Sequence, residues 1–289
     1  MATLGSVLAQ HGYLPRFIYG GYGSFDNMNA FYQGNGYTVT DRTDIKNPRF
    51  ANIWGVSDED LFAHALGQFD ADAASGRPFF GLVMSTSNHK PYTFPSGVAG
   101  VPPKGGGRTA GIRYADHAIG EFFRAARGKP WFQNTVFVVV ADHGARVYGA
   151  AQMPLFSYEI PMLIMAPGAL AAGRVDTLTS QIDIAPTLLG LLGLAYEAPF
   201  FGQDVLHWQG GARSLLFNHN HNVALYRDGQ LAILGLQGKS QCQDYARAPG
   251  VAQRGRDRFT ERPCPAALLD LATAYFQTGY QLFTEHQYQ

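Results

Sequence analysis

The sequence predicts an α/β fold: a mostly parallel central sheet with helices on both faces, then a small antiparallel C-terminal subdomain with a final helix. Three observations predict it. Apolar strand-like runs alternate with amphipathic helical segments through the first two-thirds of the chain. Those runs stop at glycines or at polar, chemistry-bearing residues, as strands of open α/β sheets do. After about residue 210 the pattern changes to short segments joined by tight turns.

The elements follow in order. Residues 3–11 read as a short amphipathic helix with Leu4, Val7, Leu8 and His11 on one side. Arg16–Phe17–Ile18–Tyr19 is a strand ending at Gly20–Gly21. Asp58–Glu59–Asp60 opens a helix, acidic where the helix dipole favours acid, with Leu61, Phe62, Ala65, Leu66 and Phe69 inward. The run 78–84 is a nearly all-apolar strand followed by Ser85–Thr86–Ser87–Asn88–His89. Residues 101–109 are a Pro/Gly loop, and 110–127 a helix with Ile112, Ala115, Ile119 and Phe122 inward. Residues 135–140 are apolar on both faces, which predicts a central, sandwiched strand ending in Ala141–Asp142–His143–Gly144. Met162–Leu163–Ile164–Met165 is another strand, and a helix follows Asp183 with Pro186 in its first turn. Residues 214–217, 223–227 and 230–236 read as antiparallel strands, with Asp228–Gly229 as a hairpin turn. Residues 237–264 are polar and basic and read as a loop. Residues 266–283 read as the last helix, with Leu268, Leu269, Ala272, Tyr275 and Phe276 on its buried side. The expected division is 1–210 and 211–289.

Composition excludes several classes. The 289 residues are 46% hydrophobic and 15% charged, with 34 glycines, which argues against coiled coil, disorder and collagen. Lys plus Arg and Asp plus Glu are both 22, so there is no basic footprint for nucleic acid. No run approaches the ~20 apolar residues of a membrane-spanning helix. Cys242 and Cys264 show no metal spacing; they pair in an oxidising compartment or stand as separate thiols elsewhere.

Chemistry is expected at the strand ends. Asp142 and His143 are adjacent oxygen and nitrogen donors that a glycine-assisted turn can aim at one divalent cation; the other reading is an ordinary cap and hydrogen bond. Asn88–His89 ends another strand and is expected to face the same crevice, where an imidazole can meet a phosphoryl or sulfuryl oxygen or move a proton. Tyr19–Gly20–Gly21–Tyr22–Gly23–Ser24 lets backbone approach a ligand but lacks both the dinucleotide fingerprint and the P-loop lysine. There is no Gly-x-Ser-x-Gly elbow. His219–Asn220–His221 reads as a polar strand edge, and Asp183 as a helix-start residue.

Several stretches together resemble one family. They are 17–21 with Phe25–Asp26–Asn27–Met28; Trp54–Gly55–Val56–Ser57–Asp58; Thr86–Ser87–Asn88–His89–Lys90–Pro91–Tyr92; Asp142–His143–Gly144; 180–187; and Phe201–Gly202–Gln203–Asp204. In this order they resemble the alkaline phosphatase superfamily, in the sulfatase-like branch of lipoteichoic acid synthases and phosphoglycerol transferases. The resemblance implies that Asp142 and His143 hold one catalytic divalent metal ion (Mn, Mg or Zn rather than Ca). It implies that His89 is catalytic and contacts the transferred anion, with Tyr22 and Asp26 beside the substrate. The family's nucleophilic threonine and the acid before it have no counterpart here.

The expected reading is therefore the C-terminal part of a membrane-anchored phosphoryl- or sulfuryl-ester transferase or hydrolase. It would sit on the outer side of a bacterial inner membrane, act on a lipid- or glycan-linked anionic ester of the envelope, and be inactive as this piece alone. Contact with the membrane would come only through helices that precede this portion. An uncovered sheet edge would favour self-association. The family's Trp-x-Arg for glycerol phosphate is replaced by Asp26–Asn27–Met28, which leaves that group without its guanidinium. The competing reading is a degenerate, non-catalytic binding module.

Overall fold

A computed structural model describes residues 1–144, 152–249 and 256–288. The chain forms two compact units, one of residues 1–135 with 166–169 and the other of 136–165 with 170–289.

The first unit is built on a parallel sheet. Strands β1 (Leu14–Tyr19), β2 (Thr38–Thr40) and β3 (Phe79–Met84) lie in the order β2-β1-β3. Phe17 and Ile18 on the middle strand are fully buried. Helix α1 (Leu4–Gln10) is capped reciprocally by Thr3 and Ser6 and buries Val7 and Leu8, while His11 stays exposed just past its end. Helix α2 (Met28–Gly34), which the sequence did not announce, brings Tyr32 against Phe17 with ring centroids 3.9 Å apart. Helix α3 (Asp58–Ala74) starts at Ser57, whose hydroxyl accepts from the Asp60 amide, and buries Leu61, Ala65 and Phe69 as expected. Asp72 near its end accepts a two-pronged bond from Arg16 of β1, Nη2 to Oδ1 at 2.5 Å with Nε on Oδ2.

Helix α4 (Gly107–Ala126) corrects the expected face. Ala110, Gly111, Tyr114 and Ala118 are buried, while Ile112 is 55% exposed. Small residues let the helix come close, and Tyr114 stacks on Phe94 with centroids 4.7 Å apart. That aromatic contact outweighs the aliphatic stripe. The helix also begins inside the segment read as a loop.

In the second unit, β4 (Phe137–Val140) pairs antiparallel with β5 (Met162–Met165). This corrects the expectation that β4 is sandwiched: its residues are only partly buried and Val140 is exposed. The reason is edge exposure, because among the described residues no third strand joins this pair. Helix α5 (Ile184–Leu191) follows a 3-10 turn at Gln181–Asp183.

A five-stranded antiparallel sheet then runs in the order β10-β9-β8-β7-β6. Its strands are β6 (Ser214–His219), β7 (Asn222–Arg227), β8 (Gln230–Leu234), β9 (Ser240–Ala246) and β10 (Arg258–Arg262). Asp228 and Gly229 take φ of 49° and 78°, the twist a two-residue hairpin needs. Strands β9 and β10 correct the loop reading of 237–264. Their side chains are polar on both faces except at points such as Cys242, so hydrophobic alternation is too weak to announce them. Alternation decides the two faces of the sheet. Ala224, Leu231 and Ile233 pack with Met153 and Leu155, while Leu225, Ala232 and Cys242 pack under helix α6 (Ala266–Thr284) through Leu268 and Ala272. Cys242 and Cys264 form a disulfide between β9 and the residue two before α6. Among the described residues no helix is long and apolar enough to cross a membrane.

Candidate functional site

In the first unit, the loops after β1 and β3 and the segment before α3 are laced together by backbone bonds. Val56 N donates to Gly20 O at 2.9 Å, and Thr86 Oγ1 donates to Val56 O at 3.2 Å. Gly55 is required here, since a Cβ would stand 2.1 Å from Gly20 O. Beside this seam opens a cleft of about 390 Å³ lined by Tyr19, Tyr22, Ser24, Phe25, Ile53 and Trp54.

His89 reaches that cleft through Trp54. The two ring centroids are 3.7 Å apart, and Phe25 meets Trp54 edge-on at 5.5 Å. His89 Nδ1 lies 3.1 Å from Lys90 O, and a carbonyl can only accept, so that nitrogen carries the hydrogen and leaves Nε2 outward. Tyr22 is a wall of the cleft. Asp26, on the turn beside Phe25 with φ of 48°, is exposed and not part of the lining.

Two residues at this site went unnoticed in the sequence. Arg42, just after β2, places its guanidinium carbon 4.8 Å from the Tyr22 ring centroid. Asp58 was read only as a helix-start acid. It is fully buried, and its Oδ1 accepts from the amides of Thr86 and Ser87 at 3.0 Å each, while its own amide donates to Ser87 Oγ at 3.0 Å. The turn that presents His89 is thus seated on the first residue of α3.

Burial pushes the Asp58 carboxyl above the usual range, and the bonds from Ser87 and Thr86 only partly oppose it. A folded-state pKa above the unfolded value means the native state holds this proton more tightly. Stability from that preference is complete below the unfolded pKa and is lost as pH rises through the folded one. Asp58→Asn keeps an acceptor for both amides and removes the ionisation. It is expected to melt higher than the parent at pH 8, with the advantage vanishing by about pH 3, below the ordinary aspartate value of ~3.9. A higher-melting parent at pH 8 would contradict this.

In the second unit, Asp142 and His143 stand on the turn after β4. Asp142 Oδ2 and His143 Nε2 are 3.4 Å apart, with the side chains 59% and 79% exposed. His143 Nδ1 donates to Gly144 O at 2.8 Å, which leaves Nε2 as the ring nitrogen beside the carboxylate. Gly144 is required by packing, because a Cβ would lie 1.8 Å from Ser157 O. Gln181 holds the turn from the other side, its Nε2 donating to Ala141 O at 3.0 Å and Asp142 O at 2.7 Å. Asp183 in turn fixes the Gln181 segment: it caps the Ser180 amide and pairs with buried Arg213, Nη2 to Oδ2 at 2.6 Å.

The Asp142–His143 donor set suits a borderline divalent cation. Among the described residues, no group of three or more His, Cys, Asp or Glu side chains could hold a metal, so the pair is a partial set. His219 ends β6 while His221 lies in the two-residue turn to β7, so the two do not share a strand face, and His219 Nδ1 lies 3.0 Å from Tyr158 Oη, a structural bond at the strand end.

The comparisons with known proteins agree with this architecture. The chain is 25% identical over 229 residues to Lipoteichoic acid synthase 1 of Bacillus subtilis, covering 70% of this chain and 35% of that protein. It is 26% identical over 150 residues to Phosphoglycerol transferase I of Citrobacter koseri, covering 48% of this chain and 20% of that one. It therefore spans about a third or less of these relatives' lengths. A crystal structure of an alkaline phosphatase superfamily protein from Vibrio parahaemolyticus superposes with a TM-score of 0.88 at 29% identity, over 100% of this chain and 71% of that one. The lipoteichoic acid synthase LtaP of Listeria monocytogenes shares the fold, with a TM-score of 0.72 at 18% identity over 95% of this chain and 72% of that one. The fold is alkaline phosphatase-like α/β, and with the Sulfatase family model matching residues 1–194, the chain belongs to the sulfatase family.

Proposed function

We propose that this chain is the C-terminal part of a metal-dependent transferase or hydrolase of phosphoryl or sulfuryl esters. The observation that carries the reading is the facing pair Asp142 Oδ2 and His143 Nε2, 3.4 Å apart on a strand-end turn of a sulfatase-family chain. These two side chains would hold one divalent cation; zinc suits the imidazole best, and manganese or magnesium would be held chiefly through the carboxylate, in preference to calcium, which takes about six to eight oxygens. Such a cation, when bound, stabilises charge on the ester's oxygens and acidifies a nucleophilic hydroxyl. The nucleophile would be a threonine outside these residues, supplied by a longer polypeptide.

The chain's own contribution is orientation and proton handling. His89, held by Lys90 O on one side and Trp54 on its face, presents Nε2 to a bound anion. Protonated there, it donates to an ester oxygen or to the leaving oxygen. Tyr22 walls the substrate cleft, and Asp26 would accept from hydroxyls of a substrate extending past Phe25.

The relatives' names favour a cell-envelope substrate, lipid or glycan linked. The Cys242–Cys264 bond favours an oxidising, extracytoplasmic setting on the outer side of the bacterial inner membrane. The edge strands of the two smaller sheets, β2, β3, β4 and β5, have no further partner among the described residues and would favour self-association of the isolated chain.

A second reading, a non-catalytic binding module, is favoured by the partial donor set. One assay separates the two. A longer polypeptide that includes the upstream coding sequence is tested with phosphate-diester and sulfate-ester substrates, with manganese and with chelator. Cation-dependent turnover that the 289-residue chain lacks supports the enzyme. No turnover by the longer polypeptide leaves the binding module, and robust turnover by this chain alone refutes the missing nucleophile.

A further inference from the structure

Behind Tyr22, a wall of the cleft after β1, stands the guanidinium of Arg42, with which no described carboxylate forms an ion pair. Arg42 is fixed by three contacts. Its amide donates to Gly21 O at 2.9 Å, its Nη1 donates to Asn52 O at 2.6 Å, and its guanidinium lies over the Tyr22 ring at 4.8 Å. Its Nε and Nη2 have no acceptor among the described residues.

The adjacent Asp41 is the obvious counter-ion, but its oxygens are engaged elsewhere. Oδ2 accepts from Gly23 N at 3.0 Å and Asn29 Nδ2 at 2.9 Å, and Oδ1 from Thr43 N and Oγ1 at 2.7 Å each. The loop thus satisfies the acid and leaves the base beside the cleft.

The same turn fixes the aromatic wall. Asn52 Oδ1 accepts from the amides of Trp54 at 2.8 Å and Gly55 at 3.3 Å, so Asn52 holds Arg42 through its carbonyl and Trp54 through its side chain. Trp54 in turn carries His89. One short segment therefore sets the spacing between a guanidinium, an aromatic platform and an imidazole.

We propose that Arg42 is the specificity-determining residue of this cleft, taking a tetrahedral oxyanion whose polyol or sugar skeleton packs on Tyr22, Phe25 and Trp54. A guanidinium fork matches two oxygens of a phosphate or sulfate, and stacking on Tyr22 pre-orients it so that little freedom is lost on binding. It supplies, from the end of β2, the cation that the Asp26–Asn27–Met28 stretch does not. This inference rests on the ester-processing reading above and adds to it a recognition residue.

The test is calorimetric titration of the 289-residue chain with glycerol 1-phosphate and with glycerol 1-sulfate, with uncharged glycerol as control. The parent is expected to bind the anionic esters and not glycerol. Arg42→Gln is expected to weaken the preferred ester about ten- to a hundredfold, the loss of a charge-assisted hydrogen-bond pair. Arg42→Lys keeps charge without the fork and should fall between, which also covers a poorly folding Gln variant. Whichever ester shows the larger Arg42 effect identifies the anion. If His89→Gln weakens binding while Arg42→Gln and Arg42→Lys do not, Arg42 is excluded and the ester reading stands. If the parent binds neither anion, the Arg42 assignment falls, while the ester reading is decided by turnover of the longer polypeptide.

Discussion

Replacing Asp142 by alanine in a polypeptide that turns over esters is expected to lower kcat/KM on the order of 10³-fold, several kcal/mol of lost charge stabilisation. His143→Ala is expected to fall similarly, because the two donors face one another across 3.4 Å and neither has a described third partner to compensate. The effect should appear without activity too. Manganese added to the parent should broaden the His143 imidazole resonances, and Asp142→Ala should need much higher manganese for the same broadening. Both side chains are more than half exposed, so neither substitution should change the melting temperature appreciably. An Asp142→Ala enzyme that keeps parental turnover and cation response would remove the pair from the active centre.

The second large effect is on stability. Arg213→Ala is expected to cost about 3–5 kcal/mol of unfolding free energy, measured by urea titration, because it strands a buried carboxylate. The Arg213 and Asp183 side chains are 6% and 2% exposed. The guanidinium also donates to Gln203 Oε1 at 3.0 Å and Leu178 O at 2.5 Å and lies 4.9 Å over the Trp208 ring. Arg213→Lys should recover only part of the loss, since an ammonium cannot serve three acceptors in one plane. The damage should spread to function. Asp183 organises the turn that carries Gln181, and Gln181 holds the carbonyls of Ala141 and Asp142. A cost below about 1 kcal/mol, the scale of an exposed ion pair, would show that this buried pair is not what secures the segment.

What could be read beforehand follows from how far each signal reaches along the chain. Strands β3, β4 and β5 announce themselves by continuous apolar runs, β1 by a short run that stops at two glycines, and α3 by period and an acidic first turn. The register of the α4 face was missed because Tyr114 packs on Phe94, a contact that sequence spacing does not encode. Strands β9 and β10 were missed because pairing rather than burial makes them: Arg262 faces Cys242 and Arg258 faces Ala246 across the ladder. At the site, Asp142, His143, His89 and Tyr22 were visible as reactive types at strand ends. Arg42, Asp58 and Gln181 were not, because each acts through a partner on another segment: Tyr22 and Asn52, Thr86 and Ser87, Ala141 and Asp142.

The cross-link from β9 to the residue before Pro265 has a practical corollary for anyone producing this polypeptide. The terminal helix of 19 residues is anchored mainly near its beginning, where Leu268 and Ala272 are covered, while Tyr280 and Phe283 face solvent. Material made with thiols kept reduced would rely on the packing of Leu268, Ala272 and their partly buried neighbours Leu269, Leu271 and Tyr275, and the tail, which has aromatic residues but no lysine or arginine, should then be the first region nicked by chymotrypsin-like enzymes. Secretory expression should give a uniformly resistant tail, so the route of manufacture becomes an experimental variable in its own right.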